Sequence, residues 1–331
     1  MKIPTSSTGE PLRIVYEPDR LTFRGEKYNC VHIAFRDDGS DETFTTTESD
    51  SIWYNQLTNQ YREKHGIPYR DEIVDLRERY GLSASKMSLI LGFGTNQYRL
   101  YEEGEAPSES NGKMIRSAMN PKVFLDLVQS SRHQLTQKEF VRISSRVEEA
   151  IAQMQHWREE RKEAERLFFS GRGLANGFAP QSSARLKNLL LYVLEKMGET
   201  FQTKMNKILF YIDFLSYRER GIAISGLAYQ AIEFGPVPQR WDRIYSAFDE
   251  VQQQFRLVQG QECLSLLAGE KADMSRFSAE EIAIIDQVCV RLRDLTSREV
   301  SELSHGEPAW KEHVTRTEII PYSEAFSLAG M

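Results

Sequence analysis

At 331 residues the chain exceeds what one hydrophobic core ordinarily organises, which points to two or three domains. Hydrophobic residues at 40% and charged residues at 27% mark a folded protein and exclude a disordered one. A net charge of -6 excludes a protein that coats nucleic acid through a blanket of phosphate contacts, so any nucleic-acid binding has to be local.

The start, Met1 to Ser7, carries no apolar signal core, and the longest aliphatic run, Leu189 to Leu194, is far too short to span a membrane. The expectation is a cytoplasmic protein with no membrane partner. Cys30, Cys263 and Cys289 lie far apart with no Cys-x-x-Cys pair, which leaves neither a disulfide framework nor a structural zinc site. They are expected to be buried thiols.

Up to about Thr47 the residues alternate as strands do, in Leu21-Thr22-Phe23 and in Cys30 to Phe35, with a turn signal at Asp37-Asp38-Gly39. This predicts a small β-meander. A polar helix follows over Ser49 to Lys64 with Ile52, Leu57 and Tyr61 facing inward, until Gly66-Ile67-Pro68 breaks it.

The stretch from Asp71 to Pro107 reads as a helix-turn-helix. Ile73, Leu76 and Tyr80 share one helical face before Gly81, and Ser83 caps a second helix, Lys86 to Leu91, with Met87, Ile90 and Leu91 inward. Gly92-Phe93-Gly94 supplies a tight turn. A third helix then opens at Thr95, with Tyr98 toward the core and Thr95, Asn96, Gln97 and Arg99 free to meet DNA. Gln97 suits an adenine edge, Arg99 a guanine or a phosphate, and Thr95 or Asn96 a phosphate. Between Arg62 and Arg116 nine Lys/Arg balance nine Asp/Glu, so this module needs dimerisation or specific base contacts to bind well.

After a short helix from Asn120-Pro121, the capping box Thr136-Gln137-Lys138-Glu139 starts a long helix predicted to run towards Phe169. Phe140, Val147, Met154 and Phe168 form one heptad seam, interrupted by Arg161, and Ile143, Ala150, Trp157 and Ala164 form another. Two readings stand: a helix packed on its own domain, or a coiled-coil spacer pairing two chains. Gly171, Gly173, Gly177 and Pro180 mark a linker.

From Gln181 the pattern mixes helices and strands. Ala184 to Met197 and Thr203 to Arg220 read as helices, the second capped by Thr203 and ended by Gly221. Tyr229 to Phe234 alternates as a strand that Gly235-Pro236-Val237-Pro238 ends, and Trp241 to Phe248 resumes a helix. Phe255 to Val258 and Cys263 to Leu266 flank Gly260 as a hairpin. Ser278 and Thr296 open further capping boxes. The predicted class is α+β, mainly α. Its parts are residues 1–65 (meander and helix), 66–131 (helix-turn-helix domain), 132–180 (long helix and linker) and 181–331 (an independent α+β domain).

Two resemblances attach to these residues. Tyr61-Arg62-Glu63-Lys64-His65-Gly66, Leu76 to Ser83, Leu91-Gly92-Phe93-Gly94 and Tyr101-Glu102-Glu103-Gly104-Glu105-Ala106-Pro107 resemble the DNA-binding domain of MqsA-type antitoxins of type II toxin-antitoxin systems. That family commonly has a zinc-binding pair of Cys-x-x-Cys motifs, of which only Cys30 could be a remnant, so no metal carries over. Leu100 stands where relatives often have a basic residue. Lys204 to Tyr211, Glu233 to Pro238 and Ser304 to Trp310, in that order, resemble the SocA-like Panacea domain. This resemblance implies a module over 181–331 that binds and neutralises a toxin.

Together these imply an antitoxin that neutralises a cognate toxin by direct binding and represses its own operon as a homodimer on operator DNA. The alternatives are a proteolytic adaptor that delivers a bound toxin to a protease and a transcription regulator with a ligand-sensing C-terminal domain, and a protease or chaperone is the further partner considered. Phe234, Pro236, Pro238, Arg240 and Trp241 are the candidate toxin-binding residues. His305-Gly306-Glu307 lacks the Pro-Cys-x-x-Cys partner of zinc deaminases, so Gly306 and Pro308 are expected to form a turn that seats Trp310 in the core. No complete catalytic set is present, and the expectation is a non-enzyme with no cofactor and no metal.

Overall fold

Two eleven-residue runs of alternating side chains, joined by Arg24-Gly25, pair antiparallel as β1 (Arg13–Phe23) and β2 (Glu26–Arg36), and β3 (Thr43–Phe44) adds to β2. The meander read from the sequence is thus present. The computed structural model describes residues 3–5, 9–37, 42–168 and 170–331. Asp38 and Gly39 of the expected turn, Met1, Lys2, Ser6 and Ser7 of the start, and Phe169 lie outside the described residues.

Contacts divide the chain into two units, Leu57–Glu160 and the combined segments Met1–Gln56 and Arg161–Met331. The helix α1 (Thr47–His65) carries the chain from one into the other.

The unit Leu57–Glu160 is helical: α2 (Arg70–Arg79), α3 (Ala84–Ile90), α4 (Gln97–Glu103), α5 (Glu109–Ala118), α6 (Pro121–Ser130) and α7 (Gln137–Ala152). Ile73, Leu76, Met87, Tyr98, Ile115, Phe124, Ile143 and Val147 form its core. Tyr80 stacks on Phe124 with centroids 4.0 Å apart and donates to the Ala118 carbonyl, so its hydroxyl is satisfied within an apolar interior.

The single long helix expected from Thr136 is two. Thr136 caps α7 as predicted, but the helix stops at Gln153 and α8 (Met154–Leu167) restarts after it. In α7 the expected seam residues Ile143, Val147 and Ala150 are consumed by the core of their own unit. In α8 Met154, Trp157 and Ala164 are half-buried.

The other unit is built around α10 (Gln202–Arg220), in which every residue from Met205 to Tyr217 is buried. A helix buried on all sides belongs in the centre of a domain, and the polar residues it carries there need partners or a role. Phe201, not Thr203, is its N-terminal boundary residue, and Gly221 ends it with φ +69°. Around it lie α9 (Ser183–Met197), α12 (Ala279–Leu292), α13 (Ser297–Gly306) and α14 (Pro308–His313), with capping boxes at Ser278 and Thr296 as expected.

Two further small antiparallel sheets complete this unit. One has the order β4-β8-β7, from β4 (Thr200–Phe201), β7 (Val251–Val258) and β8 (Gln261–Ala268), with the hairpin turn at Gln259-Gly260 as predicted. The other has the order β6-β5-β9, from β5 (Tyr229–Ile232), β6 (Gly235–Pro238) and β9 (Ile319–Ile320). Gly235-Pro236-Val237-Pro238 therefore does not end the strand; it is a strand. Two prolines are tolerated because β6 is an edge, where a missing N–H breaks no central ladder. The expected helix from Trp241 is a single turn, α11 (Trp241–Ile244). Cys30 and Cys289 are buried as expected, whereas Cys263 on β8 is only half-buried.

Candidate functional site

The α3–α4 surface is fixed from inside. Ser83 Oγ accepts from the Lys86 N–H to start α3, and Gly92, with φ +72°, turns the chain after it. Tyr98 points inward, its hydroxyl donating to the Ile73 carbonyl at 2.7 Å while its N–H donates to Ser88 Oγ at 3.0 Å. Buried Arg62 donates to the carbonyls of Gly104 and Glu105 just past the end of α4. With one face so anchored, the opposite face is presented to solvent.

Thr95, Asn96 and Arg99 are exposed and Gln97 is half-buried. The helix opens at Gln97, so Thr95 and Asn96 belong to the preceding turn and not to its first residues. Arg99 Nε stands 3.6 Å from Glu103 and Gln97 Nε2 is 3.5 Å from Glu105. An anionic ligand must displace these acidic neighbours. Leu100 is 37% exposed beside them.

In the other unit the three runs quoted for the Panacea resemblance converge. A Cβ built on Gly235 would lie 2.8 Å from Lys207 Cε, 3.0 Å from Ser304 Oγ and 3.1 Å from His305 Nε2. Each run contributes: Lys207 from α10, Gly235 from β6, Ser304 and His305 from α13. Gly235, at φ +99°, is held to glycine both by its backbone and by this crowding.

Lys207 is fully buried, and burial pushes its ammonium down to about 8. Among the described residues no hydrogen-bond partner reaches Lys207 Nζ or His305 Nε2. The His305 ring stacks on Trp310 with centroids 4.4 Å apart, and Trp310 Nε1 donates to the Ile232 carbonyl at 2.8 Å. Trp310 is half-exposed, which corrects its expected place in the core: it forms a wall tied to the β5 end. Glu307 is bonded to backbone, accepting from the N–H groups of Ala329 and Gly330.

Deeper in the same unit Asp213 is fully buried. Its carboxylate accepts from the Ile224 and Ser225 N–H groups and from the hydroxyls of Ser225 and Tyr229. Burial pushes its carboxyl up, against the pull of these four donors. This organises the loop leading into β5.

Of the candidate toxin-binding residues, Phe234 is 68% exposed at the β5–β6 turn and Trp241 is 41% exposed. Pro236 and Pro238 are buried in β6. Arg240 is half-buried and donates to the carbonyls of Glu165 and Arg166. Sequence reasoning quoted Lys207 and His305 without giving them a joint role, because residues so far apart in the chain reveal no shared place. It also missed the exposed apolar pair Phe255 and Leu257, 74% and 75% exposed on the edge strand β7; their alternation with polar residues signals a strand but not which side is covered.

Among the described residues, Glu312, His313 and Glu324 bring one potential ligand atom each within 4.8 Å of one another. His313 Nδ1 lies 3.2 Å from Glu318. Among the described residues no helix is long and apolar enough to cross a membrane.

Comparison with curated proteins and with solved structures gave no match. Residues 205–311, which hold all three convergent runs apart from Lys204, match the model of the family described as Antitoxin SocA-like, Panacea domain.

Proposed function

We propose that the chain is an antitoxin that blocks a cognate protein toxin by direct contact through its C-terminal α+β portion, and that its α3–α4 surface binds operator DNA. The family match over residues 205–311 carries the first part. The toxin contact is assigned to the exposed anchors Phe234 and Trp241, because large exposed aromatic side chains are what protein interfaces bury. The DNA reading is supported by the outward placement of Thr95, Asn96, Gln97 and Arg99 on a segment whose inner face is locked by Tyr98.

The test is co-expression of the full chain with the product of the adjacent gene. Wild-type chain should restore growth and co-purify with that product. A chain with Phe234→Asp and Trp241→Asp should do neither while retaining its circular dichroism. Retention of rescue and co-purification by the double variant would remove these two residues from the interface.

A further inference from the structure

Beside Gly235, among the described residues, Lys207 Nζ and His305 Nε2 are two buried polar atoms without hydrogen-bond partners. A buried ammonium with no acceptor is costly, and burial of a second unpartnered nitrogen beside it adds to that cost. Lys207, Ser304 and His305 close on Gly235 from three elements: the position a Cβ would take there lies 2.8 Å from Lys207 Cε, 3.0 Å from Ser304 Oγ and 3.1 Å from His305 Nε2. Lys207 is fully buried, Nζ and Nε2 lack partners among the described residues, and burial alone, with no opposing carboxylate, accounts for the displaced Lys207 titration.

We propose that Lys207 and His305 form a binding site for a carboxylate group, entered beside the exposed β5–β6 turn at Glu233-Phe234. The ammonium supplies the charge and one donor; His305, with Nε2 protonated, supplies the second. His305 lies flat on Trp310, so its donor direction is fixed by the stack. Two convergent donors match the two oxygens of a planar carboxylate. The charge also fits: a single lysine neutralises a monoanion, whereas a phosphate would carry uncompensated charge into a buried place. Phe234, 68% exposed, stands at the rim, where the apolar remainder of such a ligand would rest. A free small carboxylic acid and an acidic side chain of a bound protein share this chemistry.

The test uses the full chain with its six histidines labelled with 15N, the His305 signals being assigned through His305→Gln. Sodium formate should move the His305 Nε2 resonance along a saturating curve, while sodium chloride and sodium phosphate at equal ionic strength leave it in place. Lys207→Met should weaken the apparent formate affinity by roughly thirtyfold or more, since it removes one partner of a buried charge pair. A His305 resonance that ignores formate, or follows chloride or phosphate equally, overturns the proposal. So does an undiminished response in Lys207→Met. The wild-type comparison of anions stands without any variant. Repeating the titration on the complex with the adjacent gene's product separates the two sources: a protein-borne acidic side chain would already hold the site and suppress the formate shift, and a free acid would not.

Discussion

Tyr211 and Glu307, 96 residues apart in the chain, meet in the interior, where the tyrosine hydroxyl donates to Glu307 Oε1 at 2.9 Å. The same carboxylate takes the N–H groups of Ala329 at 2.8 Å and Gly330 at 2.9 Å, so one buried side chain ties α10, the α13–α14 junction and the final residues together. Glu307→Ala strands three donors and should destabilise by about 3–5 kcal/mol. Glu307→Gln keeps one acceptor oxygen and should cost roughly half as much. Urea unfolding followed by tryptophan fluorescence measures both, and equal losses would mean that the hydrogen bonds do not set the cost.

Lys207 predicts a pH dependence with a definite sign. Its ordinary value is 10.5, and burial pushes it down to about 8. Between these values the unfolded chain binds more protons than the folded one, so stability rises with pH across that window. Below about pH 8 the full penalty persists, on the order of 3 kcal/mol. Lys207→Met should therefore raise stability at pH 7 by a similar amount and abolish the rise between pH 8 and 10.5. Urea midpoints of both proteins across that range decide it; parallel curves would show that another group controls stability there.

Gly221 supplies a third expectation. It ends α10 at φ +69°, and a Cβ there would lie 2.8 Å from the Ile52 carbonyl oxygen on α1. Asn55 Nδ2 also donates to the Arg220 carbonyl at 2.9 Å, so this close approach is bonded in place. Gly221→Ala combines a left-handed backbone with a clash against main chain, which has no flexible end to move, and should cost about 2–3 kcal/mol. Thermal unfolding reads it directly. Gly260, with φ +82° at an open hairpin turn and nothing near its Cβ position, is the comparison: alanine there meets only the backbone term.

How much of this was legible in the sequence depends on the range of the interaction. Caps at Ser83, Thr136, Ser278 and Thr296 are local hydrogen bonds within three residues, and each starts a helix where it was read. The β7–β8 hairpin follows from Gly260 in the same way. The break at Gln153 was not legible, because Gln153 is no helix breaker and neither Gly nor Pro is near. The prolines of β6 misled for a physical reason: they exclude a central strand, and only the sheet order makes β6 an edge. At the α3–α4 surface the inward Tyr98 and the outward Arg99 followed from helical spacing alone. The Lys207–His305 convergence is long-range, and no spacing rule contains it.

The DNA reading makes a prediction that separates contact from stability. Arg99, with its side chain 62% exposed, and half-buried Gln97 reach acidic side chains at 3.6 Å and 3.5 Å, bonds worth little in water. Replacing both by Ala should leave the unfolding free energy within about 0.5 kcal/mol of wild type. Operator binding, measured with the intergenic DNA upstream of the operon, should fall by at least about tenfold. The salt dependence then tells the two roles of Arg99 apart. Loss of a phosphate contact lowers the slope of log K against log salt by about one and weakens all sequences alike, whereas loss of a guanine contact spares non-specific binding and relaxes preference at one base pair. Tyr98→Ala, which empties the inner face and removes the hydroxyl that bonds the Ile73 carbonyl, should instead unfold the surface and cost about 3–5 kcal/mol. If the double alanine variant binds the operator as wild type does, α4 is not the reading element.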